Sequence, residues 1–460
     1  MNTYNNLAIR LSGLRSGRPS DFRQVVTASF PIVAEGVLRI LLGNVDQLML
    51  NSYSPTAMPA VGNANQIMNM AIMILDMICT ATVIIMAQYI GAGDKVKTNE
   101  FSHLSFLMIL ILGAVLSVIL VVFRNPIFNV IHIPDNLRAD AETYLVVVGG
   151  SLIFQGIFMG ASAVLKSFMH MQDIMFGSAI MNVLNIALNF CLINGYGPFP
   201  RLGVLGAAIA TALSRAAGAA YLIAAVRKKT GISLISRGSG RPPLESVKML
   251  FVVGLPAAGD SISYNCMQFV LLALINTFGT MVVQAKVYMS SILPFVYIFT
   301  SSLAVSTQIK VGYYVGARKP EKAKPLVLKS SVLAVFVSLT LSFLLLRNSD
   351  LVFGIFTHDP EVLDLIASVL VIDFFLEFGR AVNIILIHAL LSSGDTKYPL
   401  YCALLSMWGI GVTTSFLFGN ALNMGLRGVW IGMALDEWCR ALAFLVRWKK
   451  GTWMTKRLTR

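Results

Sequence analysis

Asp46 is the residue of this sequence whose charge is hardest to explain as packing. It stands in a long apolar run, and its neighbours three and four positions away are Leu42, Gly43, Met49 and Leu50. On a helix those are the residues that share its face, so nothing local can neutralise it. A charge in hydrocarbon costs roughly 2.5–3.5 kcal/mol on insertion scales. Such a carboxylate must take a proton, a metal ion such as Na+, a group from another helix or a substrate cation. That is the chemistry of ion coupling, not of bond-making.

Asp46 has company. Eight acids fall within apolar runs (Glu35, Asp46, Asp76, Asp260, Asp373, Glu377, Asp436 and Glu437), with five bases (Arg39, Arg215, Lys286, Arg380 and Arg440). Glu35 and Arg39 are four apart, as are Asp436 and Arg440, and Glu377 is three from Arg380, so local ion pairs are expected for these three. Asn185 and Asn189, four apart and preceded by Asn182, can offer carbonyl oxygens to an ion or hydrogen bonds to another helix. Pro31 and Pro256 each sit inside an apolar run and are expected to bend it. The five cysteines are scattered singly and the five histidines lack ligand spacing; His388 alone falls in a span and is expected to be packed or hydrogen-bonded. No phosphate-cradling loop, nucleophile elbow or zinc motif stands out, so the sequence is not expected to be an enzyme, and no cofactor is expected beyond a coupling ion.

The elements that must hold these residues follow from composition. The chain has 460 residues, 56% of them hydrophobic and 13% charged, with mean hydropathy +0.73. The bilayer core cannot solvate a free peptide group, so long apolar runs must be helices or strands of a closed barrel. Barrel strands read as short alternating segments, and these runs are longer and do not alternate. The sequence therefore predicts an all-α polytopic membrane protein of twelve transmembrane helices, near 26–50, 58–89, 101–123, 143–165, 174–195, 203–226, 249–277, 281–309, 326–346, 361–390, 399–420 and 426–447. With the N-terminus inside, 26 of the 36 Lys and Arg fall in cytoplasmic segments and five in external loops. This asymmetry predicts cytoplasmic termini. The net charge of +14 is thus a topology signal, and no nucleic-acid partner is expected.

The sequence also repeats. At an offset of 225 residues, Pro31 falls on Pro256, Glu35 on Asp260, and Tyr89-Ile-Gly-Ala on Tyr314-Val-Gly-Ala. Gly203-Val204 falls on Gly428-Val429, and Arg215-Ala216 on Arg440-Ala441. Six spans per half is an even number, so the halves are parallel repeats. The expected organisation is a cytoplasmic segment 1–25, a six-helix lobe 26–226, a basic linker 227–248, a second lobe 249–447 and a basic tail 448–460.

Several motifs then resemble those of the multidrug and toxic compound extrusion (MATE) family, over about Pro31 to Trp453. They are Pro31 with Asp46 fifteen residues on, Ala87-Gln-Tyr-Ile-Gly-Ala-Gly-Asp, the asparagines of the fifth span, Gly203-Val-Leu-Gly-Ala-Ala-Ile-Ala-Thr in the sixth span, and Gly394-Asp-Thr-Lys-Tyr-Pro. The resemblance implies two V-shaped six-helix lobes, a central cavity and antiport of organic cations or xenobiotics against H+ or Na+. Carried over, the cation site is Asp46 with Asn185, Asn189, Thr211 and Tyr144. Many relatives have a carboxylate where Asn189 stands, and some have an acid near the place of Arg380. Glu35, Arg39, Asp260, Glu377 and Arg380 are expected at the substrate cavity or as intramembrane charge. A functional monomer in the plasma (inner) membrane is expected, with a small, cationic substrate favoured by three more acids than bases in the spans. A lipid-linked oligosaccharide flippase of related architecture is the rival, and it predicts a strongly cationic cavity. An integral-membrane enzyme would need clustered ligands at a membrane face.

Overall fold

The computed structural model describes residues 20–196, 199–232, 234 and 244–459. The expected N-terminal segment as far as residue 19, and most of the basic linker, lie outside them. Among the described residues the chain forms helices and no strand. In chain order these are α1 (Asp21–Tyr53), α2 (Ala57–Ala92), α3 (Lys95–Val122), α4 (Arg124–Val130), α5 (Asp135–Gly150), α6 (Leu152–Ser167), α7 (Met171–Asn194) and α8 (Val204–Thr230). They continue with α9 (Leu244–Asn276), α10 (Thr280–Gly316), α11 (Ala323–Arg347), α12 (Ser349–Phe353), α13 (Pro360–Ser393), α14 (Lys397–Ala421) and α15 (Leu426–Lys450).

Eight of these helices are apolar and long enough to cross a membrane, and the pair α5 and α6 makes a ninth crossing with a 45° bend. Three further helices of spanning length, α1, α13 and α15, carry most of the intramembrane charges and complete the twelve. The bend, which periodicity alone does not show, falls at Gly149-Gly150-Ser151. Small residues there weaken the helix, and Gly149 packs against Leu120. The eleventh span is also irregular: α14 widens into π turns at Met407–Val412 and Leu417–Ala421. The first of these brings Gly411 against Asp436 and Met267.

The described chain falls into two compact units. The first holds Ala34–Met86 and Gly93–Gly254; the second holds the N-terminal stretch ending at Val33, Ala87–Ala92 and Leu255–Arg460. The two helices that carry the paired prolines Pro31 and Pro256 change unit beside them, α1 after Val33 and α9 after Gly254. Inside the second unit the core gathers Met267, Leu271, Met289, Phe353, Trp430 and Met407. The outward faces are apolar too: Leu328, Val332, Phe336 and Phe343 form an exposed stripe along α11. An exposed apolar stripe of this length suits lipid, not water.

The repeated Tyr-x-Gly-Ala motif has a packing reason within the second unit. A Cβ on Gly91 would strike the backbone of Tyr313, and one on Gly316 would strike that of Gln88. The two glycines let the last turn of α2 and the end of α10 cross backbone to backbone.

The offset of 225 holds through most of the chain: α5 and α13 begin 225 residues apart, as do the left-handed residues Gly93 and Arg318. It fails in the last span. Gly203 and Gly425, which open α8 and α15, share nearly the same backbone (φ 56, ψ −125 and φ 57, ψ −132), an offset of 222. Gly206 and Gly428, each pressed against the preceding span, repeat that offset. The connection before α15 is shorter, so the pairings of Gly203 with Gly428 and of Arg215 with Arg440 are three residues out of register.

Candidate functional site

In the first unit, Asp46 on α1 meets the asparagines of α7. Asn189 Nδ2 donates to Asp46 Oδ1 at 2.9 Å. The Asn185 amide is equally close: with its nitrogen toward the acid it donates to Oδ1 and Oδ2 at 2.9 and 3.0 Å. Turned over, its nitrogen reaches Thr211 Oγ1 on α8 at 3.3 Å and its oxygen faces Asp46 instead. The Thr211 hydroxyl is held by donation to the Ala207 carbonyl at 2.9 Å. The 4-residue spacing of Asn185 and Asn189 thus does what helical periodicity demands and aims both amides at one neighbour. Asn189 Oδ1 is buried and has no partner. Tyr144 on α5 is buried beside this group, with Thr211 and Asn65 as hydrogen-bond partners and Asp46 within electrostatic range. Asn65 is missed by the sequence reading, although four amide residues (Asn63, Asn65, Gln66 and Asn69) in the apolar second span mark it.

Glu35 and Arg39 share this unit but form no ion pair, contrary to the expected salt bridge. Arg39 is exposed on α1 and lies in electrostatic range of Asp76 on α2, which Lys166 on α6 also approaches. With an acid of another helix in range of its exposed guanidinium, the four-residue spacing alone does not fix the partner of Arg39.

The second unit holds a denser set. Arg440 on α15 binds Asp436 through two bonds, Nε to Oδ1 at 3.1 Å and Nη2 to Oδ2 at 2.6 Å, and reaches Glu437 Oε1 at 2.9 Å. Glu437 also accepts from Asn383 Nδ2 at 2.6 Å. Arg380 on α13 donates to Glu377 and lies over the Tyr297 ring, 5.1 Å from its centroid. Both expected pairs, Glu377 with Arg380 and Asp436 with Arg440, are therefore present. Asp373 accepts from Trp430 Nε1 at 3.1 Å. Asp260 lies in electrostatic range of Arg440 but has an unpartnered oxygen, as do Asp373, Glu377 and Asn383. His388 is hydrogen-bonded, to Gln308 at 2.6 Å. Among the described residues no group of three His, Cys, Asp or Glu could hold a metal ion. Any cation at Asp46 would depend on amide and hydroxyl oxygens.

Two repeated halves of six spans, each holding ionisable groups inside apolar helices, make this a polytopic membrane protein. The MatE family model matches the chain twice, at residues 31–191 and 256–417, so each match starts at one of the paired prolines. The chain belongs to the MATE family of multidrug efflux transporters. It is 34% identical to the "Uncharacterized transporter YisQ" of Bacillus subtilis over 93% of this chain and 94% of the relative. It is 26% identical to the "Probable multidrug resistance protein NorM" of Thermotoga maritima, over 95% and 94%. The crystal structure of a MATE protein in the bent conformation superposes with a TM-score of 0.88 at 20% identity, covering 99% of both chains.

Proposed function

We propose that this protein is a secondary antiporter of the plasma membrane that exports organic cations and xenobiotics in exchange for H+ or Na+, with Asp46 as the coupling acid. The observation that carries this reading is the company Asp46 keeps: two amides and no base within bonding distance. A carboxylate paired with a fixed arginine would have its charge cancelled permanently. One held by amides has its charge cancelled only when a cation arrives, which is what coupling requires.

The amides also serve both states. When Asp46 is ionised, Asn185 can present its N–H groups; when Asp46 is protonated, the turned amide presents its oxygen to the new O–H, and its nitrogen bonds Thr211. A carboxyl that trades its proton for a cargo cation would thereby keep hydrogen-bonded partners throughout. Cytoplasmic termini, a functional monomer and a cationic cargo complete the proposal.

The test is flux in proteoliposomes under imposed pH or sodium gradients, with ethidium as the cation. Asp46→Asn should lower gradient-driven export at least tenfold, on the order of one lost charge interaction, at near-normal expression. Export by Asp46→Asn equal to that of the unaltered protein would sink the mechanism.

A further inference from the structure

The coupling reading has no use for the segment that follows α15, yet that segment is packed against the second unit. Gly451, left-handed at φ 72, ends α15 and leads into a single tight turn over Thr452–Thr455. Trp453 is buried there. Its ring stacks on that of Trp448 with centroids 4.0 Å apart, and its Nε1 donates to the Trp448 carbonyl at 3.0 Å. Beyond this anchor Lys456 and Arg457 are exposed, while Thr459 is buried again. The tail thus has a rooted base and a tip that returns to the protein.

The tip returns to Gln88, near the end of α2. The Leu458 N–H donates to Gln88 Oε1 at 2.8 Å, and Gln88 Nε2 donates to the Ser392 carbonyl at 2.8 Å. One buried side-chain amide therefore bonds the tail through its oxygen and the last turn of α13 through its nitrogen. Gly394, at φ +94 just past α13, lets the tail lie on the turn there, since a Cβ would strike the Lys456 carbonyl. Asp395 beside it accepts from Arg447 Nε of α15 at 2.7 Å, close to the base of the tail. The Gly394-Asp395 pair of the sequence motif, which the Asp46 site does not absorb, is used here.

The place of Gln88 in the chain gives these bonds a consequence. α2 passes from the first unit into the second after Met86, so its last turns are a part of the first half held among residues of the second. A carrier that rocks its two halves must loosen such contacts in every cycle. A glutamine amide bonded to two backbone groups suits that duty. It is fully satisfied when docked, and water can replace each bond at small net cost when the partners part.

We propose that residues 452–459 are a latch: docked on Gln88 they hold the end of α2 to the end of α13, and they undock whenever the two separate during transport. The latch rests on the export reading above and on the cycle that reading requires.

Two experiments on the whole chain test it. Leu458→Pro removes the N–H that reaches Gln88 and leaves the tryptophan anchor in place. Hydrogen exchange in detergent should quicken about three- to tenfold at residues 87–92, the scale of one lost bond, with α7 and α8 unchanged. Unaltered exchange at 87–92 overturns the latch. A purely structural tail would also give the quickening, so the second experiment asks whether undocking is required. In Gln88→Cys with Leu458→Cys, a one-carbon bis-methanethiosulfonate joins the tail to α2. Ethidium flux in proteoliposomes should then fall to about a tenth or less and return with dithiothreitol. Each single-cysteine variant given the same reagent should keep its flux. Flux that survives the cross-link shows that the tail need not release, and overturns the proposal. Failure of the unaltered protein to move ethidium under any gradient would instead overturn the export reading, and the exchange measurement, which needs no gradient, would then judge the docking alone.

Discussion

Two arginines, each within a spanning helix, make opposite predictions because of their partners. Arg440 is buried and bound to two carboxylates. Replacing it by methionine leaves Asp436 and Glu437 uncompensated, and breaking a buried pair in this way costs about 3–5 kcal/mol. Arg440→Met should therefore melt well below the unaltered protein in detergent, whereas Arg215→Met should not, since Arg215 Nη1 has no hydrogen-bond partner to lose. Equal melting temperatures for the two variants would show that the ion pair is not what holds α15. The sequence spacing made the Arg440 pair legible, because four residues on a helix fix the geometry. It could not make the Asp46 partners equally plain. Asn189 and Asn185 lie far along the chain, and which of four helices an unpaired acid faces is decided by packing. The Glu35–Arg39 expectation failed for the same reason, since Arg39 is exposed and has Asp76 of another helix in electrostatic range, which spacing along α1 does not show.

Among the elements, the crossing of α2 and α10 depends on two glycines. Gly316→Leu would drive a side chain into the backbone of Gln88, which no rotamer can relieve. The expected loss is about 1–3 kcal/mol or more, as for other overpacked sites, read as a lower melting temperature in detergent. Gly62 on the same α2 is the control. Its Cβ position is open, so Gly62→Ala should stabilise by about 0.5–1 kcal/mol through helix propensity. Should the two variants melt alike, backbone proximity is not the reason for the motif. The twelve spans themselves were readable from apolar length, since a bilayer leaves few alternatives to the helix. The bend between α5 and α6 and the π turns of α14 were not, because glycine and serine permit such breaks without requiring them.

For the molecule as a whole, one measurable pH response lies outside the membrane. Asp21, at the first turn of α1, is bonded to Lys310 Nζ at 2.7 Å and accepts from Tyr314. Burial alone would raise its carboxyl, but the bonds from Lys310 and Tyr314 outweigh it and hold the group below the usual aspartate range. A carboxyl lowered in the folded state adds stability above its unfolded value that disappears as pH falls through the folded one. The site is half-exposed, so the effect is small, about 0.5 kcal/mol. The expected result is that Asp21→Asn melts slightly lower at pH 7, with the gap narrowing as pH is taken below the usual aspartate range. A constant gap across that range would exclude the ion pair as its origin.

The three-residue slip before α15 bears on how the halves came to differ. On a helix, three residues amount to about 4.5 Å of rise and a face turned by roughly 60°. Anyone tracing ancestry between the halves by constant arithmetic would therefore equate Arg215 with Arg440, when by backbone geometry its counterpart is Glu437. Trimming one connection is enough to uncouple inherited residue count from inherited place, and a designer fusing two copies of either half would have to restore those residues first.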